Sequence, residues 1–148
     1  MRSLRFVPIL VVLLTPLAAG GEEAAVAEIE KLQGEWKGIS LEHEARAVPV
    51  MDGWGWTIAG TEIRLQYAPT PTKVALVVDP KHLPKALDMT GLEGKDKGKV
   101  SLCIYKFEAD RLIICARIPS SQKGRPTEFK SEPGSESGLI TLERVKKK

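Results

Sequence analysis

Two runs rich in β-branched and aromatic residues, Lys99-Val-Ser-Leu-Cys-Ile-Tyr-Lys-Phe107 and Arg111-Leu-Ile-Ile-Cys-Ala-Arg-Ile118, are separated only by the polar Glu108-Ala-Asp110. Side chains of this kind pack well on a pleated surface, and two such runs around a short turn predict a β-hairpin. The segment is the richest in apolar residues outside the N-terminus and holds both cysteines. A lone hairpin is marginal in water, so the rest of the chain must supply strands around it.

The remaining sequence does so. Leu41 closes a first strand that begins at Trp36, and a polar connection, Glu42 to Gly53, follows it. Trp54 to Ala59 and Glu62 to Tyr67 form a second hairpin around Ala59-Gly-Thr61, with Ile63, Leu65 and Tyr67 alternating against Glu62, Arg64 and Gln66. Lys73 to Val78 is a continuous apolar run, which predicts a strand buried on both faces. Ala86 to Met89 and Leu139 to Val145 complete the set, and a Pro/Ser/Gly-rich connection from Pro119 to Gly138 precedes the last strand. The one helical pattern is Glu22 to Gln33, where Val26, Ile29 and Leu32 recur at three-residue spacing and Gly34 stops the run. About eight short strands with almost no helix specify an all-β sandwich or barrel.

At 148 residues the chain is long enough for a single domain with its own core. Residues 1–20 read as a cleavable export signal: Arg2 and Arg5 precede an apolar stretch from Phe6 to Leu17, and Ala18-Ala-Gly20 offers small residues for cleavage. Pro8 and Pro16 interrupt the stretch, which is shorter than the roughly 20 residues a membrane span needs. The expected domain is therefore 21–148, secreted or in the periplasm or cell envelope, with no stable membrane insertion once the signal is gone. Without Arg2 and Arg5, 20 basic residues face 19 acidic ones, so nothing in the charge balance points to nucleic acid.

Gly34-Glu-Trp36 opens the first strand and Arg144 lies near the end of the last. This pairing resembles the lipocalin-type barrel, an antiparallel up-and-down barrel in which an arginine packs over a tryptophan ring where first and last strands meet. Leu32-Gln-Gly-Glu-Trp36, Pro84-Lys-Ala-Leu-Asp-Met89, Asp96-Lys-Gly-Lys99, Ile104-Tyr105, Asp110-Arg-Leu112, Cys115, Arg125-Pro-Thr-Glu-Phe129 and Leu142-Glu-Arg144 follow one another in order. Together they resemble a planctomycete family of secreted, lipocalin-like domains of unknown function, over nearly all of the chain after the leader. The resemblance implies export and a small lipocalin-like barrel of about eight strands, and brings no reaction or ligand. The family's pattern carries a cysteine at the position of Cys115 and not usually at that of Cys103.

The residues that bear on function leave alternatives open. Cys103 and Cys115 lie six residues either side of Ala109, so a hairpin turning there sets them opposite each other, within reach of a disulfide. A register offset by one instead points them apart as two buried thiols. Trp54 and Trp56 share a face when extended and either line the barrel mouth, with Tyr67 and Tyr105, as a ligand site or form plain core. Arg125 and Phe129 either form a recognition element on the long loop or pin that loop to the barrel. His43 and His82 show no spacing that would make them joint metal ligands. Gly91 to Lys99 departs from a phosphate loop, with Glu93 where the first glycine belongs and Val100 in place of Ser/Thr. No nucleophile context and no cofactor motif is present. The leading expectation is a non-enzymatic protein that holds a small apolar ligand in its barrel; the alternative is a solid barrel that binds a protein partner through its loops, with an enzyme third.

Overall fold

The computed structural model describes residues 19–66 and 70–146. Of the proposed leader only Ala19 and Gly20 fall within it, where they begin the helix; Tyr67 lies outside the described residues. Helix α1 (Ala19–Leu32) is followed by β1 (Gly34–His43), β2 (Arg46–Val48), β3 (Gly55–Ala59), β4 (Glu62–Gln66), β5 (Thr72–Asp79), β6 (Ala86–Gly91), β7 (Val100–Glu108), β8 (Arg111–Arg117) and β9 (Ser137–Arg144). Each strand from β3 to β9 pairs antiparallel with the next, and β1 pairs with β3 on one edge and with β9 on the other. Eight strands thus close a small, lipocalin-like up-and-down barrel, as expected. The three-residue β2 continues the sheet outside it, against the far end of β1.

Closure depends on the residues that the Gly-x-Trp pattern singled out. Trp36 stands opposite Arg144 in the β1–β9 ladder, and the guanidinium carbon lies 4.2 Å from the centre of the indole ring. The Trp36 Nε1 donates to the Leu32 carbonyl at 2.8 Å, while Arg144 donates from Nη1 to the Gln33 carbonyl at 2.7 Å and from Nη2 to that of Lys31 at 2.5 Å. One arginine therefore covers the tryptophan and satisfies carbonyls that the end of α1 leaves without partners. Gly34, at φ +115°, supplies the backbone turn from helix to strand that a side chain would resist.

Helix α1 lies across this end of the barrel. Leu32 is fully buried in the core, and Ala25 and Ile29 pack against it. Gln33 bridges to the β3–β4 turn, accepting from the Gly60 amide at 2.7 Å and donating to its carbonyl at 3.0 Å. Glu28 is buried, with its carboxylate held by Lys85, by Lys31 at 3.2 Å and by the Tyr105 hydroxyl at 3.2 Å. Burial alone would raise the Glu28 pKa, but hydrogen bonds from Lys85 and Lys31 outweigh it and hold the carboxyl below its ordinary value. A lowered folded-state pKa means stability that is complete above the unfolded value and fades as pH falls through the folded one. Wild type should therefore be more stable than Glu28→Gln at pH 7, and the gap should close as thermal melts are taken below about pH 4.5. A gap constant with pH would contradict the ion cluster.

Two expectations are corrected. Strand β5 is not buried on both faces: Val74, Leu76 and Val78 point inward, while Val77 is 62% exposed, because no described element covers its outer side chain. The central hairpin turns through Ala109-Asp110 alone, with Glu108 opposite Arg111, so Cys103 faces Ala116 and Cys115 faces Ile104. Opposed residues share a face and neighbours alternate, so the two cysteines lie on opposite faces of the barrel wall and both are free thiols. There is no disulfide between them.

Candidate functional site

The interior is divided along the barrel axis. In the half next to α1, Trp36, Trp56, Leu87, Cys103, Tyr105 and Leu142 are packed shut, each at most 2% exposed. Phe107 adds an edge-on contact to Tyr105 at 6.0 Å between ring centres, and a tilted one to Trp36 at 6.4 Å. Burial and the Glu28 carboxylate push the Tyr105 phenol up, so it stays protonated and remains a donor within the core. The half nearer the β6–β7 and β8–β9 connections is hollow: a cavity of about 980 Å³ opens there to solvent. Its wall is built from alternate, inward-facing residues of successive strands, Leu65, Val74, Met89, Ser101, Ala116 and Ile140.

The charged groups lining the cavity sit on its rim. Lys99 pairs with Asp96 at 3.5 Å, and Glu93 accepts the Lys73 amide at 3.1 Å. Arg117 is engaged with loop carbonyls, through Nε to Gly124 at 2.9 Å and through Nη1 to Ser135 at 2.6 Å. His43, exposed at the end of β1, also borders the opening. The other histidine, His82, lies in the β5–β6 turn and bonds through Nδ1 to the Pro84 carbonyl at 2.6 Å. Among the described residues no group of three or more His, Cys, Asp or Glu is placed to hold a metal ion.

The aromatic residues expected at a ligand site are elsewhere. Trp54 and Trp56 are core, 8% and 1% exposed, and the Trp54 ring lies against the backbone of Gly38. Tyr105 is fully buried, with its hydroxyl turned toward Glu28. None of the three borders the cavity, whose described lining contains no Phe, Tyr or Trp.

Arg125 and Phe129 follow the reading in which the loop is pinned to the barrel. The segment from 118 to 136 is a strap over the outside of β6, β7 and β8. Arg125 reaches the Asp88 carboxylate at 2.7 Å and the Cys103 carbonyl at 2.8 Å, Pro126 is buried, and the Lys106 ammonium stands 4.6 Å from the centre of the Phe129 ring. Beneath the strap, outward-facing Ile104 and Cys115 are fully buried, and the Cys115 thiol donates to the Lys130 carbonyl at 3.3 Å. Burial pushes both thiols up in pKa, so neither is poised as a thiolate. Arg125→Ala should loosen the strap by about 1.4 kcal/mol and so raise the labelling rate of Cys115 roughly tenfold. Cys103, facing the packed interior, should not change. Equal acceleration of both, read by mass spectrometry of labelled peptides, would mean global loosening instead.

No family model matches the chain, and no curated protein or solved structure is significantly similar to it. Among the described residues no helix is long and apolar enough to cross a membrane.

Proposed function

We propose that this chain is an exported, non-enzymatic binding protein that holds a small apolar molecule in the open half of its barrel. The observation that carries the reading is the cavity: about 980 Å³, walled mainly by aliphatic side chains and a methionine, with its charges confined to the rim. Volumes of several hundred Å³ with apolar walls and few polar groups are typical of small-molecule sites. The filled half beneath supports this use, because its closely packed side chains give the cavity a closed floor. Export rests on the basic and apolar leader, and membership of the secreted lipocalin-like domains on the ordered motifs from Leu32 to Arg144. Against the alternative, a solid barrel acting through its loops, stands the open upper half of the interior.

The test is titration with a neutral, solvent-sensitive dye such as Nile red. Wild type should bind it with saturable, blue-shifted emission. Ala116→Trp, which places an indole in the cavity from the inner face of β8, should abolish the signal while leaving far-UV circular dichroism unchanged. Binding unaffected by Ala116→Trp would place the dye outside the barrel and contradict the proposal.

A further inference from the structure

Among the described residues Thr72 and Ser101 are the polar side chains on the inward face of the cavity wall, and Ser101 is the more deeply buried. It stands on the inner face of β7, opposite Met89 on β6, one alternation toward the mouth from Cys103. The residue is 7% exposed, and its hydroxyl has no hydrogen-bond partner among the described residues. Its oxygen is not closed off from solvent, so the hydroxyl opens on the cavity, where a ligand that does not replace its bonds to water loses free energy. What remains accessible of Ser101 faces the cavity, so its partner must come from there.

The surroundings decide what kind of group that partner is. The charged residues that line the cavity, Glu93, Lys95, Asp96, Lys99 and Arg117, stand in the β6–β7 connection or at the outer end of β8. The rest of the wall offers Leu65, Thr72, Val74, Met89, Ala116 and Ile140, none of which carries a charge. An ionised carboxylate drawn down to the Ser101 hydroxyl would be desolvated without a counter-ion, whereas an alcohol or a carbonyl needs only the one hydrogen bond. We infer that Ser101 is the specificity-determining residue of the barrel, selecting an apolar ligand that carries one uncharged oxygen, a hydroxyl or a ketone, at the end or edge buried in the cavity. This deepens the proposed binding function and rests on it.

The experiment uses the full chain and three probes of equal chain length, 1-decanol, 1-chlorodecane and decanoate, each displacing Nile red from wild type, Ser101→Ala and Ser101→Thr. Decanol should bind wild type more tightly than the other two. Ser101→Ala should weaken decanol by about tenfold, the worth of one buried hydrogen bond, and leave chlorodecane unchanged or tighter. Ser101→Thr, which keeps the hydroxyl, should retain most of the decanol preference. The unliganded Ser101→Ala protein should melt no lower than wild type, since the hydroxyl bonds no described residue that would lose a partner. Equal changes for decanol and chlorodecane, wild-type binding of decanoate as tight as decanol, or a destabilised Ser101→Ala apoprotein would each overturn the assignment while leaving the cavity a binding site. Failure of all three probes and of the dye to bind wild type would overturn the binding function itself.

Discussion

Trp36→Ala is expected to destabilise the barrel by about 4 kcal/mol, the range for truncating a buried tryptophan. Three losses coincide at this position. A ring that is 2% exposed leaves a void between α1, β1 and Phe107; the Leu32 carbonyl loses the indole N–H; and Arg144 loses the surface on which its guanidinium lies. Arg144→Ala should cost less, about 2 kcal/mol, because its hydrogen bonds to the end of α1 are partly solvated and the stacked pair contributes ~0.5–2 kcal/mol. Since the two side chains share one contact, the double variant should cost less than the two single costs together. Arg144→Lys should recover little, because an ammonium is not planar and cannot donate to two carbonyls while lying over the ring. Urea denaturation followed by far-UV circular dichroism measures all four; additivity, or a loss under 1 kcal/mol for Trp36→Ala, would mean that the terminal strands are held together by something else.

The second large effect is expected at Gly38. A Cβ built there would sit 1.4 Å from Cε3 and 1.9 Å from Cζ3 of Trp54, inside the ring rather than beside it. The indole cannot yield by a few tenths of an ångström, so Gly38→Ala must drive Trp54 from the core. The expected cost is about 3 kcal/mol, the upper end of ordinary overpacking penalties. Trp54→Leu, which withdraws the ring, should absorb most of it, so that Gly38→Ala costs far less in that background. If the penalty is the same with and without Trp54, backbone conformation rather than this contact is its source.

The parts of this structure that were legible in the sequence are those where a period or a local rule acts. The alternation of Ile63 and Leu65 with charged neighbours marks one dry face of β4, and the Gly-x-Trp start with an arginine near the end marks where β1 and β9 meet. Less legible is anything that depends on a count of one. The central hairpin turns through Ala109 at φ +52° and Asp110, and alanine is not a residue that advertises a left-handed turn position. A three-residue turn centred on Ala109 pairs the cysteines; the two-residue turn puts Cys115 on the outer face. There it remains buried only because the strap lies over it, a contact between Cys115 and Lys130 that no periodicity records.

The same distinction explains the candidate site. Aromatic residues were natural candidates for a ligand-lining face, yet packing against Gly38 takes Trp54 into the core, and the Glu28 cluster turns the Tyr105 hydroxyl toward α1. Ser101 has a signal, but a conditional one: it shares the face of Cys103 and Tyr105 only once the register of β7 is known. Arg144 was legible as the partner of Trp36 but not as the group that satisfies the end of α1, because a helix ending in Leu-Gln-Gly carries no mark of a donor more than a hundred residues later.

The hollow half of the barrel is the claim on which the functional account stands, and native mass spectrometry of the protein isolated from its own host tests it most directly. The account predicts a non-covalent small-molecule adduct, one per chain, released by mild collisional activation and missing from Ala116→Trp prepared in the same way. A bare chain from the host that also takes up neither 1-decanol nor Nile red when these are added would contradict it.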